Sequence, residues 1–479
     1  MQTWASRGIF SGTLHRLAAI RGRGYVVHAP DRTIYALSTP PGRGGVGVVR
    51  ISGPDSLDVW RTMVKSPATL PDPWKMHRCD ILHPTQRHVL DNGLAVFFKG
   101  PRSFTTEDVL ELHVHSGRAI ISSVLGALGE IKGCRPAEPG EFTRRAFLGG
   151  RLDLTQVEGL KDLINADTES QRNLALLSAE GSTRARYEHL RKEIIKCLAY
   201  AEALIDFGEG DHIEDGLFSA VRGRVEDLCE TIRGHLADSR RGEIVRSGIR
   251  LTIFGPPNAG KSSLLNFFAQ RDAAIVTPVP GTTRDILELS MDIGGLPVVI
   301  SDTAGVRPTE DIVEKIGIER AKKAVQEADI SLCVLSLPDA NSIPPAIREL
   351  VTPETVFLYN KQDLISSPPA DTLPGKGWKV SLTDGSGTSD FLAGFASVLQ
   401  EKFDLNTREA PLITHARHRT HLRSALESLE AFLENEEEED VVLGAEELRY
   451  AAKAIGRVTG IIDVEELLDT IFSDFCIGK

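Results

Sequence analysis

Gly255-Pro-Pro-Asn-Ala-Gly-Lys-Ser262 fits G-x-x-x-x-G-K-S/T, the spacing of a phosphate-cradling loop. Glycines let a backbone close on a phosphate without Cβ clashes, so consecutive N–H groups can point at it. A helix starting at the loop's end adds partial positive charge. Asn258, Ala259, Gly260, Lys261, Ser262 and Ser263 therefore form the expected phosphate site, with Lys261 on the β- and γ-phosphates and the Ser262 hydroxyl on Mg²⁺. Three further elements follow in order. Gly281, Thr282 and Thr283 begin Gly-Thr-Thr-Arg-Asp285, which offers a threonine to Mg²⁺ and the γ-phosphate. In Asp302-Thr303-Ala304-Gly305, Asp302 can hold Mg²⁺ through water while the Gly305 N–H meets the γ-phosphate. Asn360-Lys361-Gln362-Asp363 completes the set, because Asp363 can accept from both guanine N1–H and the 2-amino group. Adenine lacks that donor pair, so GTP is the expected nucleotide. One such motif is a weak signal, whereas four in this order are a strong one.

The residue after Gly305 is Val306, where Ras-type enzymes carry a water-positioning glutamine. Hydrolysis must then rely on another group: an arginine, a cation or a carboxylate. Asn258 and the Thr277–Thr283 loop supply oxygens suited to a monovalent cation, and Glu314 is an acid close in sequence to the switch. A surface helix glutamate is the plainer reading of Glu314. Elsewhere, Glu111, His113 and His115 alternate on one strand face, which invites a metal reading. A polar strand face is commoner, since a metal site needs ligands converging from other elements.

The elements that must position these groups are visible in the pattern. Ile249–Phe254 before the loop reads as a buried strand, and Ser263–Ala269 after it as a helix. Leu296–Ser301, Ile330–Leu337, Thr355–Tyr359 and Trp378–Ser381 are further strands with helices between them, giving an α/β nucleotide domain over residues 246–405. Residues 31–149 read as an α+β domain, with strands at Val46–Ile51, Val89–Phe98 and Val109–His115 and a helix at Ile120–Ile131. Amphipathic helices fill 150–245 and return in 406–479, at Thr414–Glu434, Leu443–Ile455 and Val464–Ile471. The two helical stretches are expected to form one domain, interrupted by the nucleotide domain as an insert. The fold class expected is thus multidomain, α/β plus α.

The chain has 479 residues, 41% hydrophobic and 25% charged, in the range of globular proteins. No apolar run approaches the ~20 residues of a membrane-spanning helix. A net charge of −12 argues against a basic nucleic-acid coat, though not against a local RNA site. Six cysteines are scattered without a C-x-x-C pair, as in a reducing compartment with neither a zinc framework nor disulfides. Residues 1–30 carry Arg7, Arg16, Arg21 and Arg23 and no acid, the composition of a mitochondrial presequence.

After residue 30 the chain resembles the MnmE (TrmE) family of tRNA-modifying GTPases. The resemblance rests on Thr39-Pro-Pro-Gly-Arg-Gly-Gly-Val-Gly47, Pro139-Gly-Glu-Phe-Thr-Arg-Arg-Ala-Phe147, Arg151-Leu-Asp-Leu154, the GTPase motifs and the terminal Cys476-Ile-Gly-Lys479. With the presequence, it looks like a mitochondrial, matrix-located member. The resemblance implies an N-terminal domain that dimerises and binds a tetrahydrofolate one-carbon carrier, 5,10-methylene or 5-formyl. Its contacts match Arg50, Glu111, Arg151 and Lys479, with Cys476 nearby as a candidate catalytic thiol. It also implies a Ras-like GTPase domain with Mg²⁺ on Ser262, Thr283 and, through water, Asp302. K⁺ would sit on Asn258, Thr277, Val279 and Thr282, with Glu314 orienting water, and Ser381 belongs to the guanine site. The implied partner is an FAD-containing MnmG-type protein, joined in a heterotetramer. Together they would install a carboxymethylaminomethyl or taurinomethyl group on carbon 5 of wobble uridine 34. Pro278 and Pro280 in the cation loop and Leu382 beside Ser381 depart from the family's usual residues. Two other readings compete: a GTP-driven assembly switch, and a metal-dependent hydrolase built on Glu111, His113 and His115.

Overall fold

The computed structural model describes residues 32–479 apart from 67–68, 208–213, 238–239, 271–273, 279–286, 301–321, 341, 366–372, 404–410, 435–440, 463–467, 469–470 and 474. The described residues divide into two units, one from Met1–Leu152 with Glu465–Lys479, the other from Asp153–Val464.

The first unit contains β1 (Thr33–Leu37), β2 (Gly44–Ser52), α1 (Ser56–Met63), β3 (Val64–Lys65), β4 (Met76–Leu82), β5 (Val89–Phe98), β6 (Val109–Ser116), α2 (Arg118–Gly129), β7 (Cys134–Pro136) and α3 (Glu141–Leu148). Its sheet runs β3-β4-β5-β6-β2-β1-β7 and is antiparallel except for the β1–β7 pair. Strict alternation gives the sheet two different faces. Val49, Ile51, Leu110, Leu112 and Val114 point to one side, where they pack with Trp60 and Met63 of α1 and Val124 and Leu128 of α2. On the other side, Ile34 and Ala36 pack with Phe142 of α3, and this is also the side that carries Arg50 and Glu111, paired in register. The helical face is the core. The second face is where polar chemistry sits.

The second unit begins with α4 (Leu154–Ile164), α5 (Glu169–Ala179), α6 (Ser182–Phe207), α7 (Glu214–Leu236) and α8 (Arg241–Ser247). Capping boxes start α4, by Asp153 and Gln156, and α5, by Thr168 and Gln171. Next come β8 (Ile249–Phe254), α9 (Lys261–Ala269), β9 (Ala274–Pro278), β10 (Leu287–Ile293), β11 (Leu296–Ile300), β12 (Ile330–Ser336), β13 (Val356–Asn360) and β14 (Gly377–Lys379). Their order is β14-β13-β12-β8-β11-β10-β9, parallel from β14 to β11, with β10 antiparallel to both its neighbours. Every residue of β12 is buried, as expected of a central parallel strand covered on both faces. The β10–β11 hairpin adds a strand to those expected. Its signal was present: Leu-Glu-Leu-Ser-Met-Asp-Ile alternates, and Gly294 and Gly295 both take positive φ at the turn.

Helices Ala416–Glu434 and Val441–Thr459 close the unit. Leu422, Ala425, Leu429 and Phe432 of the first and Leu448, Ile455 and Val458 of the second share one core with Tyr187, Ile194 and Ala201 of α6 and Val221, Val225 and Ile232 of α7. Each set recurs at three, four or seven residues, the period of a single helix face. One hydrophobic core therefore draws on chain before and after the α/β sheet.

The last residues make their contacts within the first unit. Ile477 bridges Pro139, Ser38 Oγ donates to the Gly478 carbonyl at 3.0 Å, and Phe472 lies against Phe147. The terminal segment thus packs with β1 and α3. The expected helix Val464–Ile471 falls mostly outside the described residues, as does the whole of residues 1–30.

Candidate functional site

The nucleotide motifs meet at the ends of β8 and β13. The loop leaving β8 needs glycine twice. Gly255 has φ +148°, and a Cβ there would stand 2.1 Å from the Val334 carbonyl oxygen. Gly260 has φ +106°, and its Cβ would stand 2.0 Å from Asn360 Nδ2. Asn258 is exposed at φ +58°, a conformation that asparagine tolerates better than most residues. Lys261 opens α9 and folds back over the loop, its ammonium donating to the carbonyls of Gly255 at 2.8 Å and Pro256 at 2.7 Å. Burial holds its pKa below the ordinary lysine range. Ser262 and Ser263 are exposed in the first turn, and Ala259 is buried beneath.

Asn360, at the end of β13, ties two loops together. Its Nδ2 donates to the Ala259 carbonyl at 3.0 Å, and its Oδ1 accepts from Leu382 N at 3.1 Å. Ser381 is fully buried, and its hydroxyl accepts from the N–H groups of Thr383 and Asp384. Lys361 holds φ +67°, which starts the short 3₁₀ turn that leaves Asp363 exposed. So the phosphate loop, Asn360, Lys361, Asp363 and Ser381 are gathered at one end of the sheet. The other residues expected to meet the nucleotide, Gly281, Thr282, Thr283, Asp302, Thr303, Ala304 and Gly305, lie outside the described residues. So do Val279 and Glu314 and the side chain of Thr277.

The second candidate site is on the polar face of the first unit. Arg50 Nε donates to Glu111 Oε1 at 2.9 Å. The guanidinium lies over the rings of Phe104, at 5.2 Å, and Phe142, at 5.8 Å, which fixes its plane. Burial works to raise the Glu111 carboxyl, but His113 and the Arg50 guanidinium outweigh it and hold its pKa below the usual range. Beneath, Arg145 is clamped between Glu141 and Glu107, and Arg135 makes a two-pronged pair with Glu141. These bonds fix α3, and with it Phe142. The terminal segment reaches the neighbourhood through Ser38 and Leu37, next to Ala36, which pairs with Arg50. Cys476 is exposed there, and Arg151 is exposed beyond α3.

A metal held by Glu111, His113 and His115 is not supported. Glu111 is taken by Arg50, and His115 turns to the surface, where its Nδ1 pairs with Asp91 at 2.9 Å. Among the described residues, the one cluster with ligand spacing is Glu158, His415 and His418. There Arg417 binds both Glu158 oxygens, at 3.0 and 2.8 Å, and its guanidinium comes within 3.3 Å of His418 Nε2. That cation stands where an ion would be, so we read a buried ion-pair network. Nothing in the sequence pointed to it, because the partners are 259 positions apart.

Comparison with known proteins adds a decisive observation. Residues 154–476 match the MnmE helical domain, and residues 33–151 match the GTP-binding protein TrmE N-terminus. The chain belongs to the MnmE family. Among its relatives in that family is the mitochondrial 5-taurinomethyluridine tRNA synthase subunit GTPB3 of Danio rerio, 44% identical over 478 residues, which cover 94% of this chain and 93% of that one. The MnmE tRNA modification GTPase of Parvibaculum lavamentivorans is 46% identical over 450 residues, covering 93% of this chain and all (100%) of the relative. The rat GTPB3 subunit is 41% identical over 480 residues, covering 97% and 96%.

Proposed function

We propose that this MnmE-family chain is a GTP-hydrolysing tRNA modification enzyme of the mitochondrion that acts on wobble uridine 34. The observation that carries the nucleotide half is the tie from Asn360 to Ala259 and Leu382, which gathers a phosphate cradle and a guanine-reading loop at one sheet end. The two glycines let the loop close tightly, because a Cβ at either would strike the Val334 carbonyl or the Asn360 amide behind it, and a loop so closed onto a helix N-terminus suits a phosphate. Lys261 would exchange its two carbonyl partners for phosphate oxygens. Ser262, with Thr283 and Asp302, would hold Mg²⁺, and Asn258 with Thr277, Val279 and Thr282 would hold K⁺. These cations would stabilise charge on the transferring phosphoryl group. Glu314 is the residue proposed to orient water, given Val306.

The one-carbon half rests on Arg50 and Glu111. A carboxylate held ionised at neutral pH, beside an arginine that lies over two aromatic rings, suits a flat heterocycle carrying N–H donors, such as the pterin of a tetrahydrofolate derivative. Arg151, Lys479 and Cys476 complete the proposed carrier site. The single helical core, built from chain on both sides of the sheet, supports reading residues 246–405 as a GTPase domain inserted in a helical domain of 150–245 and 406–479. Residues 31–149 form the proposed dimerising domain and 1–30 the presequence. A homodimer working with an FAD-containing MnmG-type partner is part of the same reading, and the group added is carboxymethylaminomethyl or taurinomethyl.

Mass spectrometry of mitochondrial tRNA from cells lacking the protein tests this. Loss of the group on uridine 34, restored by wild type but not by Asp302→Ala, is the expected result. Unchanged uridine 34 would sink the reading and favour an assembly switch.

A further inference from the structure

His113 favours the ionised form of Glu111, yet its own placement is unusual. Strand alternation sends Leu112 and Val114 into the core and His113 to the same face as Glu111. Its register neighbours are Val48 on β2 and Leu94 on β5, neither of which offers a side-chain hydrogen bond. The ring nitrogen Nε2 is buried with no hydrogen-bond partner. Glu111 Oε2 stands 3.6 Å away, beyond hydrogen-bond length. A buried polar atom left unpaired costs about 1–3 kcal/mol, and an apolar residue in this place would avoid that cost. Meanwhile Glu111 Oε1 is fixed by Arg50, and Oε2 is the oxygen facing His113.

We propose that His113 is a positioning residue for Glu111: its Nε2–H closes on Oε2 when a ligand draws the carboxylate toward its own N–H groups. The carboxylate is then steered at both oxygens, by Arg50 at one and His113 at the other, and its remaining lone pairs point in one direction. Hydrogen bonds of this kind are often long without ligand and tighten in the complex. The inference rests on the tetrahydrofolate reading of this face and names a residue that reading does not include.

Binding of 5-formyltetrahydrofolate to the full chain, measured by calorimetry, is the test. His113→Leu should weaken binding about tenfold or more, the size of a lost hydrogen bond to a charged group, with the melting transition retained. His113→Gln, which keeps a donor near the same place, should recover most of it. In a Glu111→Gln background, His113→Leu should add little, because its effect passes through Glu111. Wild-type affinity in His113→Leu overturns the proposal, as does an undiminished loss in the Glu111→Gln background. Absence of binding by the folded wild-type chain would instead defeat the carrier reading itself, and this inference with it.

Discussion

Asn360 Nδ2 donates to the Ala259 carbonyl at 3.0 Å, and through this bond a residue of the guanine motif holds the phosphate loop. The same side chain accepts from Leu382 N, so one asparagine ties two loops to the end of β13. It is 4% exposed, so water cannot replace either partner. Asn360→Ala should therefore weaken GDP and GTP binding by at least about tenfold, through two buried hydrogen bonds worth ~1 kcal/mol or more each. Titration with a fluorescent guanine nucleotide checks this. Unchanged affinity would mean that the loops hold themselves.

Gly260 has no room for even a methyl group. The Cβ of Gly260→Ala would meet Asn360 Nδ2 at 2.0 Å in a backbone conformation that L-residues rarely adopt. Nucleotide binding should be lost while the helical core stays folded, as read by nucleotide titration alongside far-ultraviolet circular dichroism.

Turnover should respond to the monovalent cation. If Asn258 holds K⁺ near the phosphates, GTP hydrolysis will run faster in K⁺ than in Na⁺, and Asn258→Ala will erase the difference. Glu314→Ala should keep nucleotide affinity and lose turnover by about 10²-fold or more, the scale of a general acid–base group. Equal rates in both salts would remove the cation from the mechanism.

Acid should unfold the second unit early. Burial pushes the His415 pKa from 6.5 down to about 3, with His418, Arg246 and Arg417 acting the same way and only Glu158 opposing. The folded state thus holds His415 neutral while the unfolded chain binds a proton, so stability is full above pH 6.5 and declines as pH falls toward 3. Glu158 is buried too, but His418 and Arg417 hold its pKa well below 4.5, which adds a second loss as pH drops beneath that value. Asp162, raised by burial, opposes both at the acid end. His415→Asn should flatten the slope of melting temperature between pH 6.5 and 4. A slope unchanged from wild type would place the acid sensitivity elsewhere.

The terminal segment separates structure from chemistry. Gly478 has φ +97°, and a Cβ there would stand 2.1 Å from the Leu37 carbonyl oxygen. Gly478→Ala should loosen the segment from β1 and lower the first unit's melting temperature, whereas Cys476→Ser, at an exposed position, should not. Differential scanning calorimetry of the two variants distinguishes a clasp from a mere tail.

Local patterns made much of this legible. The phosphate loop lay between a readable strand and helix, and β6 alternated so cleanly that its two faces could be assigned from sequence. What stayed hidden depends on register and distance. That Arg50 would face Glu111 across two strands could not be read from spacing, because a one-residue slip reverses every side chain. Arg417 meets Glu158 only after an entire α/β sheet has intervened, and no periodicity encodes such a pair. The β10–β11 hairpin, by contrast, is written in an ordinary alternation with a Gly-Gly turn.

The clasp of Ser38 by Gly478 has a temporal side. The carbonyl that Ser38 reaches lies 440 positions downstream, so during synthesis the first sheet leaves the ribosome long before the segment that packs beside it exists. Closing a loop of that length costs little more entropy than closing one half as long, by about 0.6 kcal/mol per doubling. Delay, not energy, is the obstacle. A chain released early would carry the first sheet without the segment that meets Ser38 and Phe147.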